Sequence, residues 1–325
     1  MPVPPFELDR RQLLRMSLTF TAASVLPSFV RRAGAQAGYT HDKIDQARAS
    51  AANTPVQTTP LSKQLFLLQG VGGNILLQTG RDGNVLVDSG YSTGVPRLRA
   101  AIKELDKPAA GPPGTLINTH WHYDHTDGNE GMHQAGYAIY GHQATRRRMA
   151  APQTVNVFNV AVPASPEAAL PTATFTDRME FWRNDEAIEL EHFAPAHTDS
   201  DIYVYFRKAD VLHVGDTFFN AFYPFIDENS GGRIDGMIHA NDKALALAGA
   251  NTRIVPGHGG LATKAQLQAF RDMLAGIRDK IGSLKSSGTS EADVVAQKPT
   301  AAWDGVWGKG FLTTDQFAAL VYRTV

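Results

Sequence analysis

The stretch INTHWHYDHTDGNEG, residues 117–131, constrains this chain more than any other. Within it, three histidines and two aspartates occupy eight consecutive positions directly after the apolar run TLIN. TLINT predicts a strand, and at its end His120 and His122 would point to the same side, because side chains alternate along an extended segment. Asp124 and His125 follow where the chain turns, so the backbone can aim them at a second nearby point. The stretch therefore predicts that one strand end supplies two ligands to each of two metal ions.

Further candidate ligands occur in loops later in the chain. His197 lies in PAHTDSD before a predicted strand, Asp216 follows the strand VLHVG, and His258 lies in the turn PGHG, whose flanking glycines allow a close approach to a metal. Asp88 ends the strand NVLVD. All four residues also have ordinary structural interpretations. His197 and His258 could each be turn residues, Asp216 could cap the following segment, and Asp88 before Ser-Gly is common turn chemistry.

The composition limits both the metal ligands and the partners. The 325 residues include no cysteine, so there are no disulfides or thiolate ligands, and histidine and carboxylate must hold any metal. Such ligands suit zinc and also accept iron or manganese. The formal net charge is -1, and no run of Lys and Arg is interleaved with aromatics, which argues against nucleic acid as a partner. We expect a small-molecule substrate.

The first 37 residues predict an export signal. Arg10 and Arg11 precede a mildly apolar stretch at 16–30, and Ala-Gln-Ala follows at 35–37. This order resembles a twin-arginine signal peptide with cleavage after Ala37. An uncleaved anchor is the weaker alternative, because a bilayer span needs ~20 apolar residues. We therefore expect the export machinery as a partner, a periplasmic or secreted location, and no stable membrane insertion after processing.

The rest of the chain predicts a short lead-in and one α/β domain. Residues 38–60 are polar and rich in Ala and Thr, whereas 61–325 alternate β-like runs with helical patterns and end in a helical tail. Strands are predicted at QLFLLQ, NILLQT, NVLVD, TLINT, YAIY, AIELEHF, IYVYF, VLHVG and RIV. Helices are expected after Pro96, at 129–134, near 241–248 and along the apolar stripe at 267–284, and residues 151–180 predict a long surface loop.

The sequence HWHYDH resembles the HxHxDH motif of the metallo-β-lactamase superfamily at every specified position. The resemblance runs from about Leu61 to Leu274. It implies a four-layer αβ/βα sandwich, in which two mixed β-sheets are flanked by helices. It also implies a binuclear centre whose ligands are His120, His122 and His197 for the first metal, Asp124, His125 and His258 for the second, and Asp216 as a bridge. Asp88 would hold one ligand imidazole in its tautomer, as metal-bound histidines generally require.

The activity that the resemblance implies is that of a binuclear zinc hydrolase with two Zn²⁺ per chain. A hydroxide shared by both metals would attack the carbonyl of an amide, lactam, lactone or (thio)ester, because metal binding lowers the pKa of water from about 16 to about 7. Asp124 would be the catalytic residue that orients this hydroxide and accepts its proton. The ligand set does not name the substrate, but an exported enzyme favours a β-lactam or a lactone.

Other functions stay open at this point. Persulfide dioxygenases of the same fold are mononuclear-iron oxidoreductases with a reduced second site, and the complete second ligand set argues against them. The intact ligands also argue against a non-catalytic metal-binding scaffold. Among the hydrolases, the lack of cysteine excludes the lactamase subclass with a cysteine ligand. The loop NAFYPFIDENSGG lacks an evident Arg/Lys cluster for a glutathione thioester.

Overall fold

The computed structural model describes residues 40–106 and 114–325. The segment predicted as a signal peptide, residues 1–37, lies outside the described residues. Within the part that is described, no helix combines the length and the apolar character that a membrane crossing requires.

The first half of the chain builds a seven-stranded mixed sheet. The first four strands pair antiparallel as a meander, and the last four in spatial order run parallel. In spatial order the strands are β1 (Gln57–Pro60), β2 (Leu65–Gln69), β3 (Ile75–Gln78), β4 (Val85–Val87), β5 (Thr115–Asn118), β6 (Ala138–His142) and β9 (Ala173–Phe175). Strands β3, β4 and β5 are buried on both faces, which explains their unbroken apolar sequences.

The second half builds a five-stranded mixed sheet. Its first four strands pair antiparallel, and the last two pair parallel. They are β10 (Arg178–Arg183), β11 (Glu186–His192), β12 (Ile202–Phe206), β13 (Val211–His213) and β14 (Arg253–Val255).

Helices cover the outer faces of both sheets. The helices of the described residues, which include short ones in the connections, are α1 (Asp42–Asn53), α2 (Val95–Leu105), α3 (Tyr123–Thr126), α4 (Asn129–Gln134), α5 (Gln143–Met149), α6 (Ile234–Leu247), α7 (Lys264–Ser286), α8 (Glu291–Ala296), α9 (Asp304–Trp307) and α10 (Thr314–Thr324). One apolar cluster joins α2 and α4 to the first sheet, a second fills the space between the sheets, and a third joins the second sheet to α6, α7 and α10. The order helix, sheet, sheet, helix confirms the predicted four-layer fold.

Three segments differ from the sequence-based expectation. Gln57–Pro60, assigned to the lead-in, is the edge strand of the first sheet; all four residues are exposed, so no apolar pattern revealed it. Residues 151–180 are not one loop, because they form a small hairpin of β7 (Gln153–Val155) and β8 (Val160–Val162), then β9 and the start of β10. Only one residue of β7 and one of β8 is buried, so the hairpin lacks the apolar run that marked the other short strands. Helix α6 begins at Ile234, ahead of the predicted 241.

The ends of several strands meet along one edge of the sandwich. Asp88 follows β4, and its backbone N–H donates to Ile117 O of β5 at 2.8 Å. Thr119, which follows β5, accepts at its carbonyl from the N–H of Ile202 in the second sheet at 2.9 Å. A further bond crosses from Asn74 N to Gly257 O at 2.8 Å. Loops after strands of both sheets therefore converge on one place.

Candidate metal centre

The seven predicted ligands form two adjoining clusters. The first consists of His120, His122, His197 and Asp216, and the second of Asp124, His125 and His258; within each cluster the candidate ligand atoms lie within 4.8 Å of one another. Asp216 also reaches the second cluster, since its Oδ2 lies 3.5 Å from His197 Nε2 and 3.4 Å from His258 Nε2. Its Oδ1 lies 3.1 Å from His125 Nε2. The carboxylate of Asp216 is thus placed between the two clusters, where a bridging ligand would be.

The five imidazoles turn one nitrogen each toward the interior of the clusters. Nδ1 of His122 lies 3.1 Å from Nε2 of His120 and 2.8 Å from Nε2 of His197. Nε2 of His125 lies 3.3 Å from Nε2 of His258. His122 therefore presents its Nδ1 atom, whereas the other four histidines present Nε2.

The outer nitrogens of three of these histidines face groups that can only accept a hydrogen bond. His125 Nδ1 lies 2.7 Å from Oδ2 of Asp88, and His197 Nδ1 lies 2.8 Å from the carbonyl of Phe225. His122 Nε2 lies 3.0 Å from Oδ2 of Asp227. Each outer nitrogen must carry the proton, so in the neutral ring each inner nitrogen carries a lone pair.

His120 is held in the same way through a hydroxyl. Its Nδ1 lies 3.1 Å from Oγ1 of Thr119, and this hydroxyl donates to Asp88 Oδ2 at 2.7 Å, so the oxygen is left to accept from the imidazole. Asp88 also accepts from the Thr119 backbone N–H at 2.8 Å. Asp88 thus orients His125 directly and His120 through Thr119, with a backbone φ of 65° that Asp tolerates better than most residues.

These contacts favour a cation between the inner atoms. Lone pairs that converge at about 3 Å repel one another unless a proton or a metal ion lies between them. Oδ1 of Asp216 is buried and makes no well-aligned hydrogen bond among the described residues, and the nitrogen 3.1 Å from it, Nε2 of His125, is one of the inner atoms. A buried oxygen without such a bond is costly, and a metal ion would satisfy it. The residues present therefore fit one or two metal ions.

The charges of the clusters point the same way. Burial lowers the pKa of His197 to about 4 and that of His120 well below its usual value, so both rings are neutral near pH 7. Burial would raise the pKa of Asp124, but His125 and His258 hold it at about 2. Burial alone would lower the pKa of His258, but the nearby carboxylates, Asp216 first, raise it to about 9. The ionised carboxylates thus attract positive charge into the second cluster.

Solvent reaches the site at the second cluster. The side chains of His258 and Asp124 are 23% and 19% exposed, whereas that of Asp216 is 5% exposed and that of His125 is fully buried. A substrate can therefore approach where Asp124 and His258 meet, which are 3.1 Å apart between Oδ2 and Nε2.

Two glycines make room for the ligands. A Cβ atom at Gly257 would lie 1.8 Å from Oδ1 of Asp216, and one at Gly73 would lie 2.1 Å from Cε1 of His125. The sequence predicted close approach at the PGHG turn, where Gly259 also has a φ of +96°. It did not indicate Gly73, because GVGG looked like a plain turn between two strands.

Sequence reasoning also missed Asp227 and the residues that hold it. Trp121 Nε1 donates to Ser230 Oγ at 3.0 Å, and Ser230 Oγ donates to Asp227 Oδ2 at 2.5 Å. The backbone N–H of Asp227 donates to the carbonyl of His197 at 2.9 Å. Asp227 therefore joins the loops of two ligands. The sequence DENS around it carries no recognisable signal for this role.

Comparisons with known proteins agree with this architecture. Residues 68–258 match the family described as the metallo-beta-lactamase superfamily. A metallo-beta-lactamase from Pontibacter korlensis superposes with a TM-score of 0.55 and 18% identity, over 68% of this chain and 99% of that one. The DIM-1 metallo-beta-lactamase superposes with a TM-score of 0.53 and 18% identity, over 69% of this chain and 99% of that one.

A third solved structure matches more of the chain. The stereoselective inverting sec-alkylsulfatase Pisa1 from Pseudomonas sp. superposes with a TM-score of 0.61 and 15% identity, over 89% of this chain and 53% of that one. At these identities the three likenesses are likenesses of fold. A search of curated protein sequences found no match.

Proposed function

Because the chain belongs to the metallo-β-lactamase superfamily, we propose that its His/Asp clusters hold two zinc ions and that the protein is a hydrolase of a carbonyl compound. His120, His122 and His197 would hold the first ion, Asp124, His125 and His258 the second, and Asp216 would bridge them. When bound, the ions would supply water of lowered pKa and a Lewis acid for the carbonyl oxygen. Iron or manganese are the alternative metals.

One observation carries this proposal. The protonated outer nitrogens of four histidines turn their inner lone pairs toward one another and toward the carboxylate of Asp216, whose buried Oδ1 makes no well-aligned hydrogen bond among the described residues. A protein that needed these residues only for packing would gain nothing from lone pairs that face each other. The arrangement is explained if cations lie between them.

Asp124 has the position that a catalytic proton acceptor needs. It is the only carboxylate among the seven candidate ligands with an exposed fraction near 20%, and it lies beside His258 at the open end of the site. Its pKa of about 2 keeps it ionised, so it can orient a water molecule by accepting a hydrogen bond from it. Its place at the open end of the site puts it within reach of the proton that this water would release. Asp216, which is 5% exposed, is enclosed by histidines and is suited to holding charge.

A β-lactam or a lactone is the favoured substrate class within this proposal, followed by thioesters and other amides and esters. The mononuclear-iron oxidoreductase is disfavoured, because Asp124, His125 and His258 form a complete second set of donors. The likeness to an alkylsulfatase is one of fold, so an alkyl sulfate belongs in the assay as a competing class.

The test is an assay of metal-counted protein. Zinc-loaded protein would be assayed in parallel on a β-lactam, an acyl-homoserine lactone, an acyl-glutathione and an alkyl sulfate. We expect turnover of a carbonyl substrate that chelator abolishes and zinc restores. Cleavage of none of the carbonyl substrates would contradict the proposal. Iron in place of zinc, with oxygen uptake on a persulfide, would replace it by the oxidoreductase.

We further propose that the protein is exported in the folded state to the periplasm or beyond, on the strength of Arg10, Arg11 and the apolar stretch that follows. Replacing both arginines by lysine should leave the full-length chain in the cytoplasm. Cell fractionation would decide this, and export of the double variant at the parent level would contradict it.

A further inference from the structure

Five phenylalanines form a continuous surface beside the candidate metal centre. We call this surface the phenylalanine wall; its members are Phe158, Phe219, Phe222, Phe225 and Phe311. The ring centroids lie 4.9 Å apart for Phe158 and Phe225, 5.9 Å for Phe158 and Phe311, 5.7 Å for Phe222 and Phe311, and 5.7 Å for Phe219 and Phe222. The residues come from the β7–β8 turn, the loop after Asp216 and the segment before α10.

The base of the wall lies directly against the metal-binding histidines. The Phe219 ring stacks on His258 with centroids 5.4 Å apart and an interplanar angle of 16°. The Phe225 ring lies 5.7 Å from that of His122 and 5.5 Å from that of His197. The wall is therefore continuous with the candidate site, and it begins at the one histidine ligand that is appreciably exposed.

The outer part of the wall packs against the core on one side and is partly open to solvent on the other. Phe219 and Phe225 are 1% and 7% exposed, whereas Phe158, Phe222 and Phe311 are half-buried. Most large apolar side chains of this protein are buried, so three partly exposed rings in contact with each other are a distinct apolar patch. A patch of this kind beside a reactive centre is typical of a binding cleft.

Hydrogen bonds of Asn220 hold the loop that carries Phe219 and Phe222. Asn220 N donates to the carbonyl of His258 at 3.0 Å, and Asn220 Nδ2 donates to the carbonyl of Gly260 at 3.0 Å. The next residue, Ala221, has a φ of 76°, a strained value for a residue with a side chain. The two hydrogen bonds of Asn220 thus tie the loop that carries Phe219 and Phe222 to the His258 loop.

We infer that the wall binds an uncharged alkyl or acyl chain of the substrate, attached next to the bond that is placed at Asp124 and His258. This inference rests on the proposed function for the position of the bond, but the binding of the chain does not depend on turnover. The five side chains offer hydrocarbon only, so they supply no hydrogen-bonding atom and no opposite charge for an ionised group. One ring face, that of Phe158, already has the Lys43 ammonium 5.5 Å from its centroid. Complete burial of one methylene group generally adds roughly 0.8 kcal/mol to the binding free energy, which is a factor of about four in affinity.

The experiment measures binding without turnover. The full-length, zinc-loaded protein would be titrated by calorimetry with a homologous series of methyl ketones of lengthening alkyl chain, which contain no scissile bond. We expect the affinity to rise about two- to fourfold for each methylene until the chain outgrows the wall. Phe222→Ser and Phe311→Ser should each flatten this rise, and Phe222→Leu should retain most of it.

Trp182→Ser is the matched control, because Trp182 is a 65% exposed aromatic residue on β10. It should leave the chain-length dependence as in the parent. Zinc content, counted for every variant, should not change.

Three results would overturn the inference: affinity that is independent of chain length, an unchanged slope in both phenylalanine variants, or a parent dimer that Phe311→Ser converts to a monomer while the ketones fail to bind. The last result would assign the wall to contact between two copies of the chain. A steep slope in a protein that hydrolyses nothing would support the wall and contradict the proposed function. Hydrolysis of a carbonyl substrate together with an affinity that does not change with chain length would support the proposed function and contradict the wall.

Discussion

The outer nitrogen of His122 lies 3.0 Å from Oδ2 of Asp227, a residue 105 positions further along the chain. Asp227 is fully buried, and Ser230 donates to the same oxygen. Because the carboxylate fixes the proton on Nε2 of His122, the Nδ1 atom is left free for a metal. The orientation of this candidate ligand therefore depends on a residue outside the candidate ligand set.

Replacing Asp227 by alanine should weaken binding of the first zinc ion about 10- to 100-fold, the usual effect of removing a group that orients a metal-bound histidine. Asp227→Asn keeps one acceptor oxygen, so its zinc affinity should fall less than that of Asp227→Ala. Competition with a chromophoric chelator measures the affinity, and the visible spectrum of the cobalt-substituted protein reports the geometry. Asp185→Ala removes an exposed carboxylate paired with Lys208 and serves as control. Parent-level zinc affinity in Asp227→Ala would contradict the assigned role.

A methyl group at Gly257 should disrupt the bridge between the two clusters. The added Cβ would lie 1.8 Å from Oδ1 of Asp216, so either the carboxylate or the loop must move. We expect Gly257→Ala to lose zinc and to be destabilised by about 1–3 kcal/mol, the usual cost of overpacking. Gly260→Ala, where nothing lies within 4 Å of the new atom, is the control. The idea fails if both variants keep the parent zinc content and denaturant midpoint.

Removal of the Asp124 carboxylate should weaken the second metal position and leave the first one intact. Asp124→Ala takes one of three donors from the second cluster and leaves His120, His122 and His197 untouched. We expect zinc bound per chain to fall from two toward one. Hydrolysis, once a substrate is found, should slow about 10²- to 10⁴-fold, as for loss of a positioned proton acceptor. Two tightly bound zinc ions in the variant would show that Asp124 is not a ligand.

A stacked pair of histidines away from the metal centre should make stability depend on pH. The rings of His142 and His192 lie 3.8 Å apart at an angle of 8°, and His142 Nε2 donates to the carbonyl of Thr176 at 2.8 Å. Burial, together with His192, lowers the pKa of His142 to about 4, and burial also lowers that of His192.

Because the folded pKa is lowered, the unfolded chain binds more protons between about pH 4 and the usual histidine value near 6.5. The stability from this pair should be complete above about pH 6.5 and decline toward pH 4. Denaturant midpoints measured at about pH 7.5 and about pH 5 give the loss of stability between these two values. His142→Gln should reduce the difference between the two pH values, and His239→Gln, at an exposed position, should not. An equal difference in His142→Gln would rule the pair out as its source.

Apolar runs predicted most of the sheets, because strands buried on both faces leave a strong local pattern. IYVYF and RIV coincide with β12 and β14, and residues 129–134 form the predicted helix α4. The prediction was wrong where a strand is mostly not buried: β1 is exposed along its length, and β7 and β8 each bury only one residue. Such strands form because a neighbouring strand pairs with them, which is a property of the fold.

The sequence by itself determined the chemistry of the candidate site. The spacing in HWHYDH and the absence of cysteine are local properties, and they restrict the metal donors to imidazole and carboxylate. Only the tertiary structure decided which groups hold those donors and what surrounds them. Asp227 reaches His122 and Phe311 reaches Phe222 only after loops from distant parts of the chain meet, since side chains far apart in sequence have no local pattern that links them. For that reason the sequence could predict that these seven histidines and aspartates cluster, whereas it could not predict the phenylalanine wall or the Asp227 contact.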